Sequence, residues 1–310
     1  MAQITKPILI TGAGGGVGSV SGITVDLLRK QNLPVRALVR RDDHRAQALR
    51  ELGAEVVIGD LTQLPDVHRA VNGCGRIYFS ITVASKYLEA TLNTIAVAKY
   101  YNVEVFVNMS QMTVSKMNIN QTSASPQVNA HWLGEQALEW SGVPFVNLRP
   151  TIFMENPHFY HWAKSAVAEH NELRIPFGSG RIPPIAAYDV ARVASVILTN
   201  PAAHIGKSYD LTGPKVVNMD EVANAFSAAL GRKIRYVPLD WDEWKATTLK
   251  EHVSKGGWEQ HTADHLANLA QLIQKGTVEA SLNVELLTGS PGMDFEQWMK
   301  QHVKEFNKND

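Results

Sequence analysis

The chain has 310 residues, 45% of them apolar and 19% charged, so it can bury a substantial core and is long enough for one or two packed units. Thirty basic residues balance thirty acidic ones, which leaves no field to attract a phosphate polymer, and no nucleic-acid partner is expected. A single cysteine, Cys74, excludes an internal disulfide and a cysteine metal cage; it reads as a small core residue.

The opening "MAQITKP" is too short and too polar for a secretion signal. No apolar run approaches the roughly 18 residues that a membrane span needs. A cytoplasmic protein with no membrane partner is therefore expected.

In chain order, the first apolar run, "ILIT" at 8 to 11, reads as a strand that enters a cluster of glycines and leaves into a helical pattern over 16 to 31. Gly12, Gly15 and Gly18 form G-x-x-G-x-x-G at this strand-to-helix turn, with Gly16 and Val17 between the last two. In that position the first glycine permits a tight exit, the second lets backbone approach a pyrophosphate, and the third lets the helix pack on the sheet. Free amides and the positive helix end then face the phosphates, so Gly12, Gly15, Gly16, Val17 and Gly18 are expected to cradle a dinucleotide. A Walker-type loop is excluded, because no Lys-Ser/Thr follows the last glycine.

The second strand, 35 to 39, runs into "RRDD". Where an acidic residue would bind a ribose 2′-hydroxyl, Arg40 and Arg41 stand where a 2′-phosphate would sit, which predicts NADP(H). The alternative is surface pairing with Asp42 and Asp43. After a helix at 43 to 52, the strand 55 to 58 ends at Asp60 and Leu61, which could flank the adenine or simply make a turn. The strand 76 to 81 ends in Ser80 and Ile81, placed to border the ribose or nicotinamide. A helix at 86 to 101, a strand at 103 to 109, a helix at 128 to 141 and a strand at 143 to 148 complete the series.

These strands are nearly all-apolar, as strands covered on both faces are. Their alternation with helices predicts a doubly wound parallel sheet, a Rossmann α/β layer, with a smaller, mostly helical C-terminal substrate lobe. The expected division is 1–153, with 185–213 joining the dinucleotide-binding part, against 154–184 and 214–310. Past 150 come an aromatic helix near 157 to 169, a Gly/Pro stretch at 175 to 184, a helix from about 189 for which Asp189 would be the N-cap, and a strand within 206 to 214. Phe153, Met154, Asn156, Phe159 and Trp162 would form a pliable aromatic substrate wall, and Phe177, with the glycines after it, a lid.

The glycine turn, together with "GAEVVIGDL", "GVPFVNLRPTIFMEN", "YDLTGP" and "LLTGSPGMDFEQWMKQH", resembles the NmrA-like family of atypical short-chain dehydrogenases/reductases. Within it, the chain is most similar to the branch that holds NAD(P)H quinone reductases, triphenylmethane reductase and agroclavine dehydrogenases. The resemblance implies a serine at the end of the fifth strand, here Ser110, and a Y-x-x-x-K pair on the next helix. Gln127 stands at the tyrosine place and His131 at the lysine place. His131 is accordingly expected to contact the cofactor and supply a proton, with Ser110 as its hydrogen-bonding neighbour, also at the cofactor.

Without the tyrosine acid, reduction of a ketone would forgo a term of about 10²- to 10⁴-fold. Hydride transfer from NADPH to a small electron-poor acceptor, of quinone, iminium or cationic aromatic type, asks less of the protein. The second reading is a non-catalytic NADP(H) sensor of the NmrA type that binds a protein partner. A homodimer is compatible with either. The histidine pairs 158/161 and 261/265 have helical spacing but no third ligand, so no metal site is expected.

Overall fold

The computed structural model describes residues 4–15 and 19–307. The chain begins with β1 (Ile8–Thr11), α1 (Val20–Lys30), β2 (Val35–Val39), α2 (His44–Glu51), β3 (Glu55–Ile58), α3 (Leu64–Val71), β4 (Arg76–Phe79), α4 (Tyr87–Tyr100), β5 (Val105–Met109), α5 (Pro126–Ser141) and β6 (Phe145–Pro150). It continues with α6 (His161–His170), β7 (Glu172–Ile175), α7 (Ala187–Thr199), β8 (Lys207–Leu211), α8 (Met219–Leu230) and β9 (Arg235–Pro238). The remainder is helical: α9 (Trp241–Trp244), a π turn over Lys245–Leu249, then α10 (Lys250–Ser254), α11 (Gln260–Lys275), α12 (Asn283–Thr288) and α13 (Phe295–His302).

The chain divides into two compact units. One runs through Pro150 and adds Ala187–Asp210; the other is Thr151–Ala186 and everything from Leu211. The first holds a seven-stranded sheet in the order β3-β2-β1-β4-β5-β6-β8, with β1 to β6 paired in parallel. The strands are as apolar as their sequence promised: Ile8, Leu9, Ile10, Ile77, Phe79 and Phe106 are fully buried. Phe79 and Phe106 pack with Tyr87 of α4 and Leu138 of α5, and each such ring contributes about 1.5–3 kcal/mol by leaving water.

Local signals set the helix ends. Ser19 caps α1 by accepting from the Gly22 amide at 3.4 Å, so α1 begins at Val20 rather than near 16. Ser125 caps α5 in the same way, with Pro126 at its first position. A correction falls on Asp189: α7 begins at Ala187, so this carboxylate lies inside the first turn, buried and paired with Arg192 at 2.8 Å, rather than at the cap.

The second unit is built around Phe159, Phe177, Phe226, Phe295, Trp298 and Phe306, all essentially buried. Its one small sheet is the parallel pair β7-β9, which the sequence reading did not anticipate. No helix among the described residues is long and apolar enough to cross a membrane.

Candidate dinucleotide and reduction site

Because β1 to β5 run parallel, the residues that follow them emerge along one edge of the sheet. Across the order β3-β2-β1-β4-β5 these are Asp60, Arg40, Gly12, Ser80 and Ser110, spread over four strand spacings, or about 19 Å. The middle of this row lies between β1 and β4, where the strand order reverses and the crevice of a doubly wound sheet opens.

At that point the backbone is crowded and bare. Gly12 has φ of 70°, and a Cβ on it would lie 2.6 Å from the carbonyl oxygen of Ser80, so only glycine fits. A Cβ on Gly15 would lie 2.8 Å from Ser19 Oγ, so a side chain there would have to displace the hydroxyl that caps α1. Thr11 holds the crevice from the other side: its hydroxyl donates to Ser80 O and accepts from Ser80 N, both at 2.8 Å. Regular pairing of β1 with β4 stops at Ile10 and Tyr78, and this side chain supplies the next rung. Ser80 and Ile81 therefore lie just beyond β4, which ends at Phe79. Gly16, Val17 and Gly18 lie outside the described residues.

A contact that the sequence reading missed supports the turn. Arg45 Nη1 donates to Gly14 O at 2.8 Å, while Asp43 grips the same guanidinium, at distances down to 2.5 Å, and caps α2. The hydrogen bonds from Arg45 hold the Asp43 carboxyl far below the usual carboxylate range. The signal was present as an Arg two residues after an N-cap Asp, but nothing local showed that it would reach residue 14.

The tandem arginines do not pair with the aspartates that follow them. Asp43 is taken by Arg45 and Asp42 by Arg50 at 2.8 Å. Arg40 and Arg41 are exposed, with no ion pair or side-chain hydrogen bond among the described residues. Asp60 is partly committed: its Oδ1 accepts from the amide and hydroxyl of Thr62 at 2.8 and 2.9 Å. Leu61 is nearly buried in the core beside α4, with its carbonyl bound by Asn93.

At the other end of the row, Ser110 follows β5, 3% exposed, with its Oγ lacking a hydrogen-bond partner among the described residues. A buried hydroxyl without a protein partner calls for a water, a ligand or a catalytic role. His131 sits in α5, 8% exposed, its ring 4.1 Å from that of Tyr87 on α4. Burial pushes the Tyr87 phenol up, so it stays protonated and neutral beside the imidazole. Gln127 is fully buried, with its Oε1 accepting from the Ala84 amide at 3.3 Å, so the side chain at the tyrosine place fastens the loop after β4. Beneath, Glu135 and Arg149 form a bidentate pair at 3.0 and 2.5 Å that anchors α5 to β6. Removing one member of such a buried pair costs about 3–5 kcal/mol.

The residues expected to form a substrate wall are divided. Met154, Phe159 and Phe177 are buried in the core of the second unit, with Phe159 edge-on to Phe177 at 5.6 Å. The turn after Phe177 is packed rather than loose: a Cβ on Gly180 would meet the Ile273 carbonyl oxygen of α11 at 2.0 Å. Phe153, Asn156 and Trp162 are half-buried. Asn156 Oδ1 accepts from the His158 amide at 3.1 Å and meets its Nδ1 at 2.7 Å. Trp162 stands edge-on to Trp244 at 5.1 Å, beside a cavity of about 350 Å³ that Arg174, Asp240, Glu243 and Thr248 also line.

The bare turn at the sheet's reversal point, the cations beyond β2 and the open hydroxyl beyond β5 fit a phosphate-bridged dinucleotide, and they define a Rossmann-type dinucleotide-binding protein. The chain belongs to the NAD(P)H-binding family, whose model matches residues 12–201. The NAD(P)H azoreductase of Xenophilus azovorans is 30% identical over 295 residues, covering 94% of this chain and 97% of that one. The fold is shared with an NADPH-dependent quinone oxidoreductase from Escherichia coli, solved with NADPH, at a TM-score of 0.80 and 24% identity over 96% of this chain and 99% of that one. It is shared also with the Citrobacter sp. triphenylmethane reductase, solved with NADP(H), at a TM-score of 0.79 and 22% identity over 95% and 99% of the two chains.

Proposed function

We propose that the protein is an NAD(P)H-dependent reductase of small electron-poor acceptors, of quinone, iminium or cationic aromatic type, and that it prefers NADPH. The observation that carries this reading is the row of strand-end residues at the sheet edge, cationic at Arg40, bare at Gly12 and open at Ser110. The similarity to an azoreductase over nearly its whole length favours turnover above sensing.

Gly12, Gly15 and the amides that follow would hold the pyrophosphate, Arg40 and Arg41 the 2′-phosphate, and Ser80, Ser110 and His131 the nicotinamide end. When bound, the reduced nicotinamide supplies a hydride. The chain's own part is to exclude water, orient the partners and manage one proton. Ser110 Oγ would offer a buried hydroxyl donor, and His131, packed against a neutral phenol, would return a proton to a reduced quinone oxygen. Gln127 cannot give up a proton, and its amide is already engaged with the loop after β4. The acceptor must therefore be electron-poor before it binds, and proximity supplies most of the acceleration.

In the second unit, Phe153, Asn156 and Trp162 are the wall residues still able to offer a surface to an aromatic acceptor. The test is the disappearance of NADPH absorbance when purified protein is given small quinones and cationic dyes. Turnover with NADPH above NADH is the expected result. Tight NADPH binding without turnover across the panel would replace this reading with the sensor.

A further inference from the structure

His161 at the start of α6 and His252 in α10 are 91 residues apart in the chain, yet their Nε2 atoms stand 3.3 Å from one another. The rings meet nearly at right angles, 84°, with centroids 5.5 Å apart, so the two nitrogens converge rather than the ring faces. The Nδ1 of His252 lies 2.9 Å from the carbonyl oxygen of Thr248. A carbonyl only accepts, so the proton of His252 is on Nδ1 and its Nε2 presents a lone pair. A backbone carbonyl fixing the far nitrogen in this way is the usual outer support of a metal-binding imidazole.

The separation carries the argument further. Two nitrogens each about 2.0–2.1 Å from one tetrahedral ion stand about 3.3–3.4 Å apart. Neither of the sequence-adjacent pairs has this geometry on show: His158 is buried and engaged with Asn156, and His265 is buried in α11.

We propose that His161 and His252 form a two-imidazole chelate for a borderline transition-metal dication, Cu²⁺ held more tightly than Zn²⁺, with solvent completing the coordination. That order follows the general preference of nitrogen sites. Among the described residues no group of three or more His, Cys, Asp or Glu is placed to hold a metal, so the chelate has two protein ligands and open positions. The nearby Glu251 is engaged with Lys255. A bound ion would tie α6 to α10 and steady Trp162, whose ring lies 5.8 Å from that of His252. It would also lie close to Trp258, which stacks on His252 at 5.0 Å and 25°.

Titration of the full-length protein with CuCl₂, followed by tryptophan fluorescence and by electron paramagnetic resonance, tests the site. The expected result is quenching that saturates at one equivalent, with a spectrum of two nitrogen ligands, reversed by excess EDTA. His161→Gln and His252→Gln should each weaken that first equivalent at least about tenfold, the least that even outer-shell changes cost, while far-ultraviolet dichroism is unchanged. Zn²⁺ should raise the thermal midpoint of the parent and of neither variant. A first equivalent that both variants bind as tightly as the parent, or no quenching at all, would show that the two rings share only a hydrogen bond and overturn the proposal.

Discussion

The guanidinium of Arg45 reaches from the first turn of α2 to the carbonyl oxygen of Gly14, 2.8 Å away, and thereby braces a turn whose only side chain between Gly12 and Gly15 is the methyl of Ala13. A phosphate cradle made of backbone is only as well ordered as whatever fixes its carbonyls. Arg45→Ala should therefore weaken NADPH binding about tenfold, in keeping with the roughly 1.5 kcal/mol of a hydrogen bond to a charged group, and leave kcat nearly unchanged. Fluorescence titration beside steady-state kinetics separates the two. An unchanged Kd would refute the bracing role.

At Gly12 the expected loss is one of fold as well as function. Alanine there meets a left-handed backbone, costing about 1–2 kcal/mol, and in addition presses its methyl against Ser80 O. Thermal unfolding of Gly12→Ala should show a midpoint several degrees lower, with NADPH failing to restore it.

Arg40 and Arg41 are exposed and unattached, so their replacement should leave stability unchanged within about 0.5 kcal/mol. Arg40→Ala should lose about tenfold or more in NADPH affinity and nothing in NADH affinity, because only the first carries a 2′-phosphate. Parallel titrations with the two cofactors decide it. Equal losses would move the adenosine end elsewhere.

His131 distinguishes acceptors. If it returns the proton to a reduced quinone, His131→Gln should lower kcat with quinones about 10²-fold, the low end for a lost general acid. A cationic acceptor, which takes hydride and needs no proton, should be reduced at nearly the parent rate. A uniform loss over both acceptor classes would make His131 a cofactor-positioning residue instead.

Two buried histidines predict how the protein responds to acid. Burial, with the charge of His265 adding to it, pushes the fully buried His158 down to about 3, and burial with the charge of His261 pushes His265 down to about 4. In the unfolded chain both titrate near 6.5. Below that pH the unfolded state binds protons that the fold refuses, so stability is complete above about 6.5 and falls as pH drops towards 4, by about 2.7 kcal/mol per unit for two protons. His158→Phe, which keeps a flat ring beside Trp162 and Phe177, should halve that slope in denaturant titrations over this range.

Much of the sheet could be read in advance. "ILIT", "VRALV" and "EVVI" coincide with β1, β2 and β3; β1 and most of β2 are buried as strands covered on both faces are, whereas the edge strand β3 is half-buried and starts at the exposed Glu55. By contrast, β7 and β9, "ELRI" and "RYVP", are four residues each with charged positions, and their pairing joins segments more than sixty residues apart. The placement of the candidate residues was legible where they follow strand ends: Gly12, Arg40, Ser80 and Ser110 stand just past β1, β2, β4 and β5. It was illegible where a side chain is recruited from a distance, as with Arg45 on Gly14 or Tyr87 against His131. Aromatic composition also misled, since a phenylalanine in a core and one in a pocket share the same letters, and Phe159 and Phe177 went to the core.

The loose arginines beyond β2 give the molecule an adaptable end and a fixed end. The glycine turn is stitched by Thr11 and braced by Arg45, so little there can be exchanged, whereas Arg40 and Arg41 make no ion pair or side-chain hydrogen bond among the described residues that would need repair. If Arg40 and Arg41 do meet the 2′-phosphate, redesign of coenzyme choice in this scaffold can be confined to two surface side chains, a modularity that would let selection swap one currency of reducing power for another without disturbing the machinery downstream.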